Sequence, residues 1–484
     1  MAKIIIIGGG VAGLSAGIYA RISGHTAIVC ERHKIAGGNL TGWQREGYHI
    51  DNCIHWLTGT NPHTESYKLW TEVGALGNVK IYQPDSLYTC EYKGQRLSLY
   101  KDLGYLEEEM LRISPEDEKE IRSFIKAVHQ LQKNSGIAGK SHNEGNHFIE
   151  KIMQLPLLYK YHKITTKELA ERFQHPLLKK FFTAILGDVF SALALLYVFA
   201  TFCGENGGIP QGSSRAMAKR ITERFLSLGG ELKLGKEAVK INYKNGKANS
   251  VTFSDGSRLR GDYVILTGDP AVSFGKLLPF EMPKTLQKQY QLPQMQRFSS
   301  YHCAFACDCE TLPFKGDFVI DVSADNQKIL KTKTLVIREF SHEKKFAPKG
   351  KNVLQALVFC DEETARYFIK LRRDKTEYQK KKHEIAEAIQ QCIVEKFPVL
   401  KEKLRCLDVW TPATYQRYTD SEIGSFMSFI LPPKALPKRI DNRIPQLKNV
   451  ILATQWLQAP GGLPIAAKVG KHAIETINKR ENKL

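Results

Sequence analysis

The sequence predicts an α/β fold assembled from discontinuous pieces of chain. Three observations predict it: a strand, glycine turn and helix at the start, a strand, glycine pair and helix at the end, and a strand-rich stretch near residues 235 to 270. At the start, an apolar run from Lys3 to Ile7 drops into Gly8-Gly9-Gly10-Val11-Ala12-Gly13, and a second apolar strand, Thr26-Ala27-Ile28-Val29-Cys30, ends at Glu31. Gly8 permits the tight turn, Gly10 lets the backbone approach a pyrophosphate, and Gly13 lets the helix lie close on the sheet. Val11 and Ala12 open the helix, whose unpaired N-terminal N–H groups favour phosphate charge. Glu31, about twenty residues beyond Gly13, supplies an acceptor for a ribose hydroxyl. Glycine clusters also mark ordinary turns, but here strand, glycines, helix, second strand and acid agree on a dinucleotide site.

That unit does not distinguish NAD, NADP and FAD. The next residues narrow the choice: Glu31-Arg32 runs on to Ala36-Gly37-Gly38-Asn39-Leu40, a second glycine pair. This resembles the FAD-dependent oxidoreductases that include amine oxidases, phytoene desaturases, carotenoid isomerases and retinol saturases, and the resemblance implies FAD as cofactor. In that group Arg usually follows the glycine pair. Asn39 departs from this, keeping a hydrogen bond to phosphate while losing the charge. At the far end, Asn449 to Thr454 reads as a buried strand, followed by Gln455-Trp456-Leu457-Gln458-Ala459-Pro460-Gly461-Gly462-Leu463-Pro464 and a helical segment from Ile465 to Ile477. In the resembling family this turn lies along the flavin ring, and its W, PGG and LP pattern is similar to the phytoene desaturase and retinol saturase branch.

The middle of the chain fits the same resemblance. Glu237 to Ile241, then Ser250 to Phe253 with an Asp255-Gly256 hairpin turn, leads to Tyr263-Val264-Ile265-Leu266-Thr267-Gly268-Asp269-Pro270. The resemblance implies that the backbone at Val239 holds the adenine and that residues 263 to 267 close the FAD domain, with Thr267, Gly268 and Asp269 at the cofactor. Trp410 to Thr419 is similar to the family's segment re-entering that domain. The expected architecture is a bipartite Rossmann-like FAD-binding domain (residues 1–74, 204–284 and 411–484) with an inserted α+β substrate domain (75–203 and 285–410).

Composition bounds the rest. At 484 residues the chain is long enough for two domains. No signal-peptide pattern precedes the first strand, and ten cysteines without framework spacing suit a reducing compartment, so a cytoplasmic location is expected. Cys303, Cys307 and Cys309, beside His302, share one parity along a strand-like run, which predicts a buried face and no metal. The net charge of +20 admits anionic partners. No nucleic-acid motif is present, so nucleic acid is not expected. The basic run Lys370, Arg372, Arg373, Lys375 and Lys380 to Lys382 leads into Ile385, Ile389, Ile393 and Phe397, the pattern of an amphipathic helix with a solvated face. Phe181 to Cys203 is long and apolar but carries Asp188, which disfavours a membrane span and predicts a buried helix. The Gly204-to-Ser214 segment after it looks like the one following a substrate-lining helix in phytoene desaturase relatives. The resulting expectation is a hydrophobic small-molecule or lipid substrate, with peripheral contact to an anionic membrane. The sequence carries no signal for oligomeric state.

The resemblance places the chemistry at flavin N5, which accepts or donates a hydride. No second complete G-x-G-x-x-G argues for a separate NAD(P)H domain. In Tyr48-His49-Ile50-Asp51-Asn52-Cys53-Ile54-His55-Trp56, a strand reading puts Asp51, Cys53 and His55 on one face. His55 is the candidate for proton transfer near neutral pH. His55, Trp56 and Trp456 are candidate flavin neighbours, and no nucleophile-elbow pattern appears. The reading is an FAD-dependent desaturase, saturase or isomerase acting on carbon-carbon bonds of a hydrophobic polyene, isoprenoid or related lipid. One alternative is an amine-oxidase-like flavoenzyme with an aromatic cage from Trp56 and Trp456. The other is a non-catalytic prenyl-lipid carrier of the GDP-dissociation-inhibitor type, against which the intact glycines and Glu31 count.

Overall fold

The computed structural model describes residues 1–135, 156–435 and 439–482. Two sheets organise them. The first runs in the order Glu231–Leu234, Thr26–Glu31, Lys3–Ile7, Tyr263–Leu266, Leu447–Leu452 and Arg443–Ile444, parallel except for the last pair. Its central strand is buried on both faces, as an unbroken apolar run requires. Alternation sends Ile4 and Ile6 into a core with Leu14 and Ile18 of helix Val11–Ile22, and Ile5 into a second core with Val251 and Phe253. Helix Leu463–Glu481 packs against helix Val11–Ile22. A Cβ at Gly470 would lie 2.4 Å from the Ala12 carbonyl, and the Ser15 hydroxyl donates to the Ala467 carbonyl at 2.8 Å. The Asp255-Gly256 turn joins the antiparallel strands Lys247–Phe253 and Arg258–Arg260.

The second sheet has seven strands in the order Leu404–Trp410, Phe298–Cys307, Asn352–Asp361, Thr334–Glu339, Asp317–Asp321, Ser86–Tyr92 and Gln95–Tyr100. These strands come from two stretches that interrupt the first sheet in sequence. Together the sheets make an α/β architecture: a Rossmann-like parallel sheet with an inserted α+β body. Helix Lys375–Lys396 lays Tyr378, Ile385, Ile389 and Ile393 on the second sheet and leaves Lys375 and Lys380 exposed. Asp374 caps it by accepting from the Thr376 and Glu377 N–H groups. Along Phe298–Cys307, Cys303 and Cys307 enter the core shared with that helix, whereas His302 has the opposite parity.

One expectation is corrected here. Phe181 to Cys203 is not one helix: helix Pro176–Thr183 and helix Ala192–Cys203 flank a loop. Gly187 has φ +74°, and its N–H returns to the Thr183 carbonyl at 2.9 Å, closing the first helix with the left-handed residue that glycine favours. Ser191 then caps the second by accepting from the Leu193 N–H. Among the described residues no helix is long and apolar enough to cross a membrane.

Candidate functional site

A cavity of about 1120 Å³ opens at the C-terminal ends of the parallel strands, where Ile7, Cys30 and Leu266 reach its wall, and extends to the second sheet and the helices beyond. This is where open α/β sheets place their ligands. It exceeds the roughly 300–1,000 Å³ usual for one small ligand.

Backbone builds one end. Gly8 turns at φ +105° and donates to the Cys30 carbonyl at 2.9 Å. A Cβ at Gly13 would sit 1.9 Å from the Gly8 carbonyl oxygen, so this glycine is demanded by the helix's approach to the turn. Gly10 differs: a Cβ there would meet only Gly38 Cα at 3.9 Å and the Gly37 carbonyl at 4.0 Å, both ordinary contacts. Protein packing does not require glycine at position 10. The free room faces the cavity, beside the start of the helix at Val11 and Ala12. The buried Glu31 carboxylate accepts from the Gly9 N–H at 2.7 Å and the His33 N–H at 2.9 Å, and still reaches the cavity.

The second glycine pair folds over the first, with the Gly37 N–H on the Gly9 carbonyl at 2.8 Å and Gly37 and Gly38 at φ +129° and +60°. Asn39 Oδ1 beside them is buried without a hydrogen-bond partner. A buried orphan of this kind costs about 1–3 kcal/mol unless a ligand satisfies it. Leu40 is buried next to it, and Arg32 on the same wall pairs with Asp420 at 3.6 Å. Thr267 donates to the Ile7 carbonyl at 2.8 Å. Gly268 and Asp269 follow, and the buried Asp269 carboxylate accepts from Ala271 N–H, Tyr290 hydroxyl and Glu422 N–H, tying three segments together. An open glycine, a helix N-terminus, a ribose acceptor and an orphaned amide oxygen on one wall fit a dinucleotide. Gly13 and Val239 lie behind that wall; from the Val239 segment, Lys236, Glu237 and Ala238 reach it.

At the C-terminal turn, Gly461 and Gly462 have φ +79° and +89°, and the Gly462 N–H is held by Gln455 Oε1 at 2.8 Å, which aims the helix beginning at Leu463 and Pro464 into the cavity. Trp456 also touches the cavity. Its ring stacks on Tyr290 (5.4 Å) and is met edge-on by Phe429 (5.1 Å), and Trp56 likewise lines the cavity while packing on the helical core.

The strand expected to align Asp51, Cys53 and His55 ends at Asp51. Asp51 Oδ1 accepts from the Cys53 and Ile54 N–H groups and from the Ser214 hydroxyl, and Oδ2 from the Ser214 N–H. This local capping turns the chain out of the extended form. His55 nonetheless reaches the cavity, with Nδ1 4.0 Å from Asp317 Oδ2. Burial first, then the charge of Arg338, holds its pKa well below the usual histidine value. Arg338 grips Asp317 with two nitrogens, Nε to Oδ1 at 2.6 Å, and donates to the Ile54 carbonyl at 3.2 Å.

Three residues without a site assignment from the sequence join this cluster. His302 stacks on Trp410 (4.7 Å, 6°), and its Nε2 meets the Ser300 hydroxyl at 2.8 Å and the Tyr415 hydroxyl at 3.1 Å. Burial pushes His302 down to about 3. The Tyr415 hydroxyl donates to Asn52 Oδ1 at 3.0 Å, and Asn52 Nδ2 donates to the Asn39 carbonyl at 3.0 Å. A chain of hydrogen bonds thus runs from the second sheet to the second glycine pair. The alternation that buries Cys303 was the signal for His302; nothing local marked Tyr415 or Asn52.

The far end is apolar. Leu193, Tyr197 and Val198 of helix Ala192–Cys203 line it with Val189 of the preceding loop and Phe359 of the second sheet. Val189, Tyr197 and Phe359 are 44%, 38% and 40% exposed, and all three line the cavity.

A model of the flavin containing amine oxidoreductase family matches residues 11–477. The chloroplastic prolycopene isomerase of Daucus carota is 24% identical over 457 residues, covering 90% of this chain and 72% of that one. The 4,4'-diapophytoene desaturase of Methylomonas sp is 20% identical over 499 residues, covering 99% and 95%. Among solved structures, an oxidoreductase from Methanosarcina mazei has a TM-score of 0.61 at 17% identity, covering 98% of this chain and 100% of that one. Cyclohexylamine oxidase from Brevibacterium oxydans has 0.59 at 15%, covering 99% of each. At these identities the solved structures speak for the fold alone.

Proposed function

The chain belongs to the flavin containing amine oxidoreductase family, and from that premise we propose that it desaturates, saturates or isomerises carbon-carbon bonds of a hydrophobic polyene, isoprenoid or related lipid. It is an FAD-dependent oxidoreductase. The observation that carries the substrate reading is the apolar stretch of cavity wall, lined by Val189, Leu193, Tyr197, Val198 and Phe359, of which Val189, Tyr197 and Phe359 keep large uncovered surfaces. Uncovered apolar surface is unfavourable by about 25 cal/mol per Å² and is relieved by an apolar chain. Relatives named for prolycopene and diapophytoene support the same class. Trp56 and Trp456 both line the cavity, so the amine-oxidase-like alternative keeps its aromatic pair; the relatives named for polyenes favour the carbon-carbon reading over it.

FAD supplies a hydride acceptor and donor. The protein's part is to hold a substrate carbon beside the Gly461-Gly462 turn, exclude water with the apolar wall, and manage the proton. His55, kept neutral, points Nδ1 towards Asp317 and leaves Nε2 for the substrate. In this reading residues 1–74, 204–284 and 411–484 hold FAD, while 75–203 and 285–410 hold the substrate. Exposed Lys370, Arg372, Arg373 and Lys375 support peripheral contact with an anionic membrane from the cytoplasm, from which the lipid is drawn.

The test is to purify the flavoprotein, identify released FAD, and present polyenes in liposomes with the flavin oxidised and, separately, reduced. A shifted polyene spectrum is expected. Turnover of primary amines with no change in any polyene would replace this reading with the amine-oxidase one.

A further inference from the structure

Every arginine and lysine on the cavity wall except one is ion-paired. Arg32 pairs with Asp420 at 3.6 Å, Lys236 with Asp255, Lys276 with Glu237 at 2.7 Å and Asp420 at 3.0 Å, and Arg297 with Glu362 at 2.6 Å and Glu422. The exception is Lys468, which has no hydrogen bond or ion pair among the described residues. It retains solvent-accessible surface, yet burial lowers its pKa, with Glu65 opposing from beyond ion-pair distance. Both properties hold together for a side chain that faces an internal cavity.

Lys468 shares the cavity wall with polar side chains. Helix Leu463–Glu481 faces helix Glu65–Glu72, to which Lys471 is tied through Glu72 at 3.2 Å. On this wall the Thr58 and Ser66 hydroxyls also have no hydrogen bond among the described residues. Trp56 lines the same cavity and packs on the helical core whose helix Ala192–Cys203 supplies the apolar wall. One ammonium and two hydroxyls match the charge and the two acceptor oxygens of a single carboxylate, whereas a diphosphate calls for more cations.

We propose that Lys468, with Thr58 and Ser66, binds the carboxylate of an acid-terminated polyene or unsaturated lipid whose chain passes Trp56 to the apolar wall. This rests on the lipid-chain reading above. Lys468 is a positioning and specificity residue: it fixes which carbon of the chain lies at the reacting turn.

The experiment titrates the FAD-loaded protein with all-trans-retinoic acid and with methyl retinoate, following quenching of tryptophan fluorescence. Lys468→Met and Lys468→Arg are compared with the parent, each checked for FAD content and thermal midpoint. The acid is expected to bind at least about tenfold tighter than the ester, a charge-assisted contact of about 1.4 kcal/mol. Lys468→Met should remove that preference while leaving the ester's affinity unchanged, and Lys468→Arg should keep it. Equal binding of acid and ester by the parent, or a preference that survives Lys468→Met, overturns the proposal and leaves the lipid-chain reading standing. Failure of both probes to bind the flavin-loaded parent overturns the two together.

Discussion

The two ends of the cavity are built from different materials. At the cofactor end the contacts are backbone: glycines at 8, 10, 37 and 38, a helix N-terminus, and a carboxylate held by two N–H groups. Facing the second sheet they are side chains: His55, His302, Asp317 and Tyr415 on the wall, with Arg338 behind Asp317, drawn from strands, helices and loops up to several hundred residues apart. Backbone geometry is set by a short stretch of chain and tolerates almost no substitution. A side-chain cluster can be altered one residue at a time without moving the chain that carries it.

The hardest test of the side-chain end is Arg338→Met, which leaves Asp317 buried without its partner. A loss of about 3–5 kcal/mol is expected from urea unfolding. Adding Asp317→Leu should recover most of it. If the single variant is as stable as the parent, the pair does not hold this end together.

At the backbone end, two glycines three residues apart separate packing from binding. Gly13→Val drives a side chain into the Gly8 carbonyl and should cost about 3 kcal/mol or more in the same measurement. Gly10→Val meets only ordinary contacts and should stay within about 0.5 kcal/mol of the parent while losing FAD on gel filtration. Full flavin content in a folded Gly10→Val would remove the argument that this room belongs to the cofactor.

A pH titration sharpens the contrast further. His302 titrates near 3 in the folded chain and near 6.5 unfolded, so below pH 6.5 the unfolded chain takes up a proton that the folded chain refuses. Stability present above pH 6.5 is therefore lost as pH falls towards 3, by about 1.4 kcal/mol per pH unit from this group. His302→Gln should flatten the slope by one proton; an unchanged slope would mean that His302 is not held neutral. The smallest effect is expected from Val189→Asp on the apolar wall: about tenfold weaker binding of methyl retinoate, or 1.4 kcal/mol, at unchanged FAD content.

What was legible in the sequence follows the same division. The strand, turn, helix and acid from Lys3 to Glu31 are local, and glycine is required at 8 and 13 by close approaches, of a Cβ to Thr267 beyond the paired strand and to the Gly8 carbonyl, while position 10 has room to spare. The residues joined by Tyr415 are not local: Asn52, His302 and Trp410 meet only after the seven-stranded sheet has formed. Extrapolating a strand through His55 failed because Asp51 spends its carboxylate on the Cys53 and Ile54 N–H groups. Lys468 was invisible for a related reason, since an unpaired charge can be recognised only when the partners of all the others are known.

The break at Gly187 also decides what this apolar stretch can be. An uninterrupted helix from Phe181 to Cys203 would reach about 34 Å at 1.5 Å per residue, enough to match a hydrocarbon core of about 30 Å. Divided by a left-handed glycine and followed by Asp188, neither half attains that length. The two short helices and the loop between them instead lay Ile185, Val189 and Tyr197 along the cavity, so one glycine converts an apolar run of spanning length into a bent wall.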